Sequence, residues 1–480
     1  MKPDKEERPN LSRTEIRLIE DYIYRSKDEI QELKKSISEM RIDRQFRSFP
    51  RWFAKGIKKF LLNRVSNSTK NRIKIFLKWW SDLQSRNPKI VSSASNETNY
   101  AKAQKSLLIL AHNYPTKEGD YGGLPIARRI PFYLKSGYKV SVLIPSTKRN
   151  QRHLTTEEGV EIFFTPLKEL EHTAKKVGAS QLAIHSPTPE LSLGAKKLML
   201  DLPTHIWIHG FEARSWRELK FDFSNEEIAR EGKRLDITDV ERKWALSELF
   251  KNPEITKIFV SEFMLSKAEE FAETPVINPN VIHNVIDPQL FPYRPKSEDM
   301  RNRICSVRNF GKRNYGTDLM SKAILELTTM PWFSSLTFEI FGDGQHYHQD
   351  TDPLQSFQNV KLNKFFIGSE TLKEVFERNG IALLPTRWDS QGMLNGEAMR
   401  SGLVPVSNNV TSIPEFISPK QGILGDSEDY EQLAQGIAEL IENPNKFLEM
   451  SELASQRATT QCHPDVTVQK EINIFDSFCH

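Results

Sequence analysis

The sequence predicts an α/β protein with doubly wound parallel sheets in two domains, and three observations carry that reading. Short apolar runs stopped by glycine or proline alternate with stretches of helical period from Ser106 onward. Several runs pass through a glycine-bearing loop into a helix and on to another apolar run, the βαβ pattern. The 480 residues exceed what one ordinary core holds and point to two or three domains. A hydrophobic content of 38% with 10% aromatic suits folded domains diluted by a polar part. The formal charge of +4 makes no whole-chain case for nucleic acid. Cys305, Cys462 and Cys479 have neither framework nor metal-ligand spacing and read as buried thiols in a reducing compartment. The first residues lack the apolar core of a signal peptide, and no run approaches the roughly 18 apolar residues of a spanning helix. An intracellular chain is expected.

The chain opens with an arm. Ile16, Ile19, Ile23, Ile30, Leu33, Ile37 and Met40 fall on alternating three- and four-residue steps, with Ser26 in the one polar slot. That is a coiled-coil seam within residues 1–48, with Ser12 and Glu15 as its N-cap pair. A homo-oligomer through residues 12–41 is expected, a single docked amphipathic helix being the alternative. Residues 49–104 hold basic amphipathic helices and a linker. Arg51, Lys55, Lys58, Lys59 and Arg64 accompany an apolar stripe of Trp52, Phe53, Ile57, Phe60 and Leu61, and Trp79 and Trp80 follow. Such helices suit an anionic membrane surface, contacted through residues 49–90. Packing on the body and single-stranded nucleic acid are the rival readings, with nucleic acid the less favoured. The polar stretch Ser92–Gln104 reads as linker.

The first α/β domain is placed at 105–287. Strands are expected at Ser106–Ala111, Lys139–Ile144, Val160–Phe164, Leu182–His185 and Lys257–Ser261, with another ending at His209-Gly210. Gly122 and Gly123 permit close backbone approach after the first strand. His209 should emerge at the carboxyl edge of the sheet, where such folds bind ligands, with Glu212 and Arg214 nearby.

The second domain is placed at 288–460. Strand Ile304–Val307 leads into Arg308, Lys312 and Arg313, three cations that could clamp a diphosphate without a metal; a solvated basic loop is the alternative. Leu336–Phe341 leads into Gly342-Asp343-Gly344, and a further strand is read at Phe365–Gly368. Ile381–Leu384 is a buried strand stopped by Pro385. A helix then runs from Gly392 to Ser401, with Gly402 at its C-terminus, followed by strand Leu403–Ser407. A helix start offers unpaired N–H groups to a phosphate, and an acid one turn further in can take ribose hydroxyls. Asp389 and Glu397 flank that entrance. Helices are read at Leu433–Leu440 and Phe447–Leu453.

The stretch DSQGMLNGEAMRSGLVPVSNN…IPEFI resembles the donor-site signature of retaining glycosyltransferases of family 4. Those pair two acids as E-x7-E, followed by an EAMA-type helix, a G-x-P-V strand and a P-E turn, here ending at Glu415. The first acid of the pair is Asp389 instead of Glu. The resemblance runs from about Ser106 to His480. It implies a GT-B fold: two Rossmann-like domains facing a cleft, here preceded by a helical, coiled-coil arm, with segment 461–480 returning to the first domain. Asn284–Asp287 stand where the family has its I-P-N-G-V-D hinge, without the usual glycine. The implied activity is transfer of a sugar, with retention, from a nucleoside-diphosphate sugar to a saccharide or lipid-linked saccharide, in surface polysaccharide synthesis. The resemblance assigns His209, Arg308, Arg313 and Asp389 to catalysis. It assigns Gly122, Gly123, Lys312, Gly342, Gly392, Met393, Leu394 and Glu397 to donor binding. Arg308 matches the arginine of the family's G-R-x4-K loop, and either Lys312 or Arg313 could fill the lysine role. No metal or other cofactor is expected, and the implied location is the inner face of the cell membrane. The rivals are a sugar-nucleotide epimerase or phosphorylase on the same fold, or a non-catalytic scaffold anchored to membrane or nucleic acid.

Overall fold

The structure is a computed structural model and describes residues 105–115 and 122–479. The heptad seam, the basic stripe and the linker before residue 105 lie outside the described residues, as does the middle of the loop that precedes Gly122.

The first sheet has eight strands in the order β3-β4-β2-β1-β5-β6-β7-β8. They are β1 (Ser106–Leu110), β2 (Lys139–Pro145), β3 (Arg152–Thr155), β4 (Glu161–Thr165), β5 (Gln181–His185), β6 (Thr204–Ile208), β7 (Ile255–Phe259) and β8 (Pro279–Val281). All pairs are parallel except β3 with β4. β1, β5 and β6 are buried throughout, because helices cover both faces. β3 is an exposed polar edge strand, which is why its RHLT sequence carries no strand signal.

The second sheet has the order β11-β10-β9-β12-β13-β14, all parallel. Its strands are β9 (Arg303–Val307), β10 (Thr337–Phe341), β11 (Val360–Asn363), β12 (Ile381–Leu383), β13 (Val404–Asn408) and β14 (Ile423–Gly425). The strand expected at Phe365–Gly368 lies instead at Val360–Asn363. Phe365 and Phe366 are exposed and belong to the turn beyond that strand. The helices read at Leu433–Leu440 and Phe447–Leu453 extend to Tyr430–Glu442 and Pro444–Cys462.

Leaving aside the edge hairpin, both sheets begin at the middle and grow outward in two directions. The order reverses between β1 and β5 in the first sheet and between β9 and β12 in the second. Loops leaving adjacent strands diverge there, opening a crevice at the carboxyl edge.

Several features join the halves, two of them apolar. The helix Val468–Asp476 returns to the first domain, burying Val468, Ile472 and Phe475 against its sheet. Its Glu471 is fully buried, accepting from Arg129 Nε at 3.0 Å and Trp207 Nε1 at 3.0 Å. The second feature is Trp388, which follows β12 yet packs into the first domain's core cluster.

Candidate functional site

The crevice of the second sheet is built around Arg308. This arginine directly follows β9, and its Nη2 donates to the carbonyl of Leu384, just past β12, at 2.6 Å. The side chain is 6% exposed and its Nε has no partner. Burial lowers its pKa to about 10, still a full charge at neutral pH, while Asp389 and Tyr315 favour that charge through space. A buried guanidinium with an unmet donor is an incomplete anion site.

The other two cations of the loop go elsewhere. Arg313 donates through Nη1 to both oxygens of buried Asp350 at 2.8 Å, and through Nη2 to Gln349. Thr317 Oγ1 completes the Asp350 shell at 2.6 Å. Arg313, expected as a catalytic cation, is thus paired with a buried carboxylate. Lys312 is exposed, with its ammonium 6.0 Å from the Phe223 ring centroid. Gly342, expected against the donor, meets protein instead. At φ +147° a Cβ there would sit 1.8 Å from the Arg308 carbonyl oxygen. The Gly342-Asp343-Gly344 turn thus braces the arginine loop, with Phe310 N donating to Asp343 O at 3.0 Å.

Next to Arg308 is the start of helix Met393–Arg400. Gly392 takes φ +74°, a left-handed conformation that suits glycine. Asp389 Oδ1 accepts from Gly392 N at 2.8 Å and Gln391 N at 3.3 Å, so one of its oxygens fastens the loop. No side chain caps the helix, and Met393 and Leu394 are only half-buried, which leaves the first turn's amides open to a ligand. One turn in, Glu397 is 6% exposed, and its Oε1 lies 3.3 Å from Arg128 Nη2. Burial raises the Glu397 pKa, and Arg128 opposes the rise.

Across the cleft, Gly123 sits at φ +82°, where a Cβ would lie 2.4 Å from the Asn113 carbonyl oxygen. Of the glycine pair expected against the diphosphate, Gly123 is thus required by the fold of its own loop. His209 Nε2 pairs with His185 Nδ1 at 2.8 Å. Part of the His209 ring is accessible, yet burial and then Arg129 lower its pKa to about 3, so the ring is neutral. It can position a hydroxyl but holds no proton to donate as an acid near neutral pH. Glu212 faces inward, binding the His209 and Gly210 amides, with its pKa raised by burial. Arg214 instead lies 3.8 Å from the Trp388 ring centroid, and its charge is felt by Tyr315 and Asp389. The first sheet's own crevice holds His112, with Nε2 3.3 Å from Thr188 Oγ1, beside the 45% exposed ring of Phe211.

Arg308, Asp389, Glu397 and the helix entrance are brought together, with His209 facing them across the cleft. Tyr315, Trp388, Arg128 and Ser369 join them and carry no signal in the sequence. Arg128 lies 269 positions from Glu397 and 241 from Ser369, beyond any local pattern.

Comparison with known proteins fits this geometry. Residues 291–458 match the family described as Glycosyl transferases group 1. Sucrose-phosphate synthase from Thermosynechococcus elongatus superposes with a TM-score of 0.63 at 12% identity, covering 78% of this chain and 99% of that one. The fold is GT-B. WaaG, a glycosyltransferase involved in lipopolysaccharide biosynthesis, matches GT-B at TM-score 0.58 and 15% identity, over 77% of this chain and 99% of WaaG. Anabaena HepE, solved with UDP-glucose, matches at 0.57 and 16%, over 78% and 99%. A curated relative is an uncharacterized 41.2 kDa protein in the cps region of Klebsiella pneumoniae, 26% identical over 148 residues, 30% of this chain. The chain spans 39% of that relative's length.

Proposed function

We propose that the chain transfers a sugar from a nucleoside-diphosphate sugar to a saccharide or lipid-linked saccharide, with retention, as the family 4 signature implies. The observation that carries this is Arg308, a buried guanidinium with an unmet donor beside an uncapped helix entrance. Breaking the bond from the sugar's anomeric carbon to the diphosphate oxygen puts negative charge on the diphosphate. Fixed cations and helix amides stabilise that charge in a crevice shielded from water. The acceptor oxygen then bonds the anomeric carbon from the side the diphosphate leaves, and its proton passes to a diphosphate oxygen. His209, neutral and anchored by His185, orients a sugar hydroxyl. Asp389 presents its second carboxylate oxygen to the sugar and Glu397 takes the ribose. Arg308 supplies the charge that a metal would otherwise provide, so activity is expected to persist in EDTA.

A role in surface polysaccharide synthesis is supported by the relative's place in a cps region and by the involvement of WaaG in lipopolysaccharide biosynthesis. The acceptor is assigned to the first sheet's crevice, where Phe211 offers an exposed aromatic face beside His112. Residues 49–90 are assigned to the cytoplasmic face of an anionic membrane and residues 12–41 to self-association, on sequence grounds. Incubation with nucleoside-diphosphate sugars, with and without acceptor, tests the reaction. Acceptor-dependent glycoside with the donor's anomeric configuration is expected. A free epimerised donor, or reaction only with inorganic phosphate, contradicts it. Deleting residues 1–100 should abolish flotation with anionic liposomes while sparing donor hydrolysis; undiminished flotation rejects the membrane assignment.

A further inference from the structure

Arg128 lies between the short helices Leu124–Ala127 and Ile130–Lys135 of the first domain, yet its guanidinium ends in the second. Nη2 donates to Glu397 Oε1 at 3.3 Å and to Ser369 Oγ at 3.1 Å, where helix Ser369–Arg378 begins. The guanidinium carbon is 5.2 Å from the Phe291 ring centroid, and buried Nε has no partner. Both members of the ion pair are nearly enclosed, with side-chain exposures of 11% and 9%. Arg128 holds only one carboxylate oxygen, so Glu397 Oε2 is left for another donor. Burying a carboxylate beside no cation favours its neutral form. Glu397 shows that tendency, and Arg128 is the named charge opposing it.

We propose that Arg128 is a positioning residue for the donor ribose, reaching across the cleft to orient Glu397. The nucleotide site is therefore finished by the first domain, and tight nucleotide binding requires the two domains to be apposed. This rests on the assignment of Glu397 to the ribose. It goes beyond that assignment by giving the first domain a part in reading the nucleoside.

The test uses the full chain, titrated calorimetrically with whichever of UDP, GDP and ADP it binds most tightly, and with inorganic pyrophosphate, which has no ribose. Arg128→Ala should raise the nucleoside diphosphate Kd roughly tenfold or more, as expected for a lost charge-assisted hydrogen bond. The pyrophosphate Kd should not move. Glu397→Gln should show the same selectivity, and the double variant should be no weaker than the worse single one, since both act on one contact. Arg128→Lys should recover part of the loss, and its melting curve controls for folding. Additive losses in the cycle, tighter nucleotide binding in Arg128→Ala, or an equal loss for pyrophosphate would each overturn the positioning role. If Glu397→Gln leaves nucleotide binding unchanged, the ribose assignment itself fails and takes this proposal with it. Weaker nucleotide binding in Glu397→Gln with none in Arg128→Ala overturns this proposal alone.

Discussion

The two crevices are alike in topology and opposite in chemistry. In the first sheet the order reverses beside His112, whose ring is held near Thr188 and whose pKa burial lowers. In the second it reverses beside Arg308, a charge with an unmet hydrogen-bond donor. Around the first crevice charged and polar groups face inward: Glu212 binds its own loop and His209 binds His185. Around the second, Arg308 keeps a donor without a partner. In the proposed reaction the same strand arrangement would serve two tasks. A neutral rim with an exposed aromatic face suits an uncharged saccharide, and an incomplete cationic site suits a diphosphate that gains charge as it leaves.

Replacing each member of that pair sharpens the contrast. Arg308→Ala should cut turnover by about a hundredfold to a thousandfold, the loss expected of a preorganised charge stabiliser. Steady-state kinetics on the folded variant would check this, and unchanged turnover would make the two crevices equivalent. Arg313→Ala, five residues away, should instead act on stability. It leaves Asp350 buried without its cation, at a cost of about 3 kcal/mol in a denaturant titration, with turnover per folded molecule altered only a few-fold.

A third contrast appears in acid. His205 is fully buried, and burial holds its pKa at about 3; His185 is likewise pushed well below the ordinary range. The unfolded chain takes up these protons below about pH 6.5 while the native chain does not, so stability rises with pH between about 3 and 6.5 and is flat above. At pH 5 the His205 contribution is about 2 kcal/mol of lost stability. Melting temperatures from pH 7 to 5 should show it, and His205→Gln should flatten the slope. The smallest effect is at Phe211. Phe211→Ala should raise the acceptor KM several-fold, about 1 kcal/mol for a lost aromatic contact, leaving the nucleoside diphosphate Kd in place. A shift in that Kd instead would place Phe211 with the donor.

How far the sequence foretold this follows from where the signals lie. Buried parallel strands such as β1 and β9 are apolar throughout and easily read, as is Gly402 at φ +84° closing the helix Met393–Arg400. Arg308 directly follows strand β9, and Asp389 and Glu397 flank the start of helix Met393–Arg400, positions that strand and helix patterns mark. Two features escape such signals for physical reasons. A run of three cations does not reveal which one the fold compensates, and Arg313's partner Asp350 is 37 residues away. Phe365 and Phe366 look like strand residues because they are aromatic, yet they stand exposed after the strand. Contacts between the domains, Arg128 with Glu397 and Arg214 with Trp388, have no periodicity or spacing to betray them.

In the proposed mechanism Arg308 clamps a diphosphate unaided by metal. Titration of the wild-type chain and of Arg308→Ala with UDP, GDP and ADP in EDTA tests it most directly. At least one nucleoside diphosphate should bind the wild type in EDTA and bind Arg308→Ala roughly tenfold more weakly. Equal affinity in the two proteins, or wild-type binding that vanishes with EDTA, would contradict it.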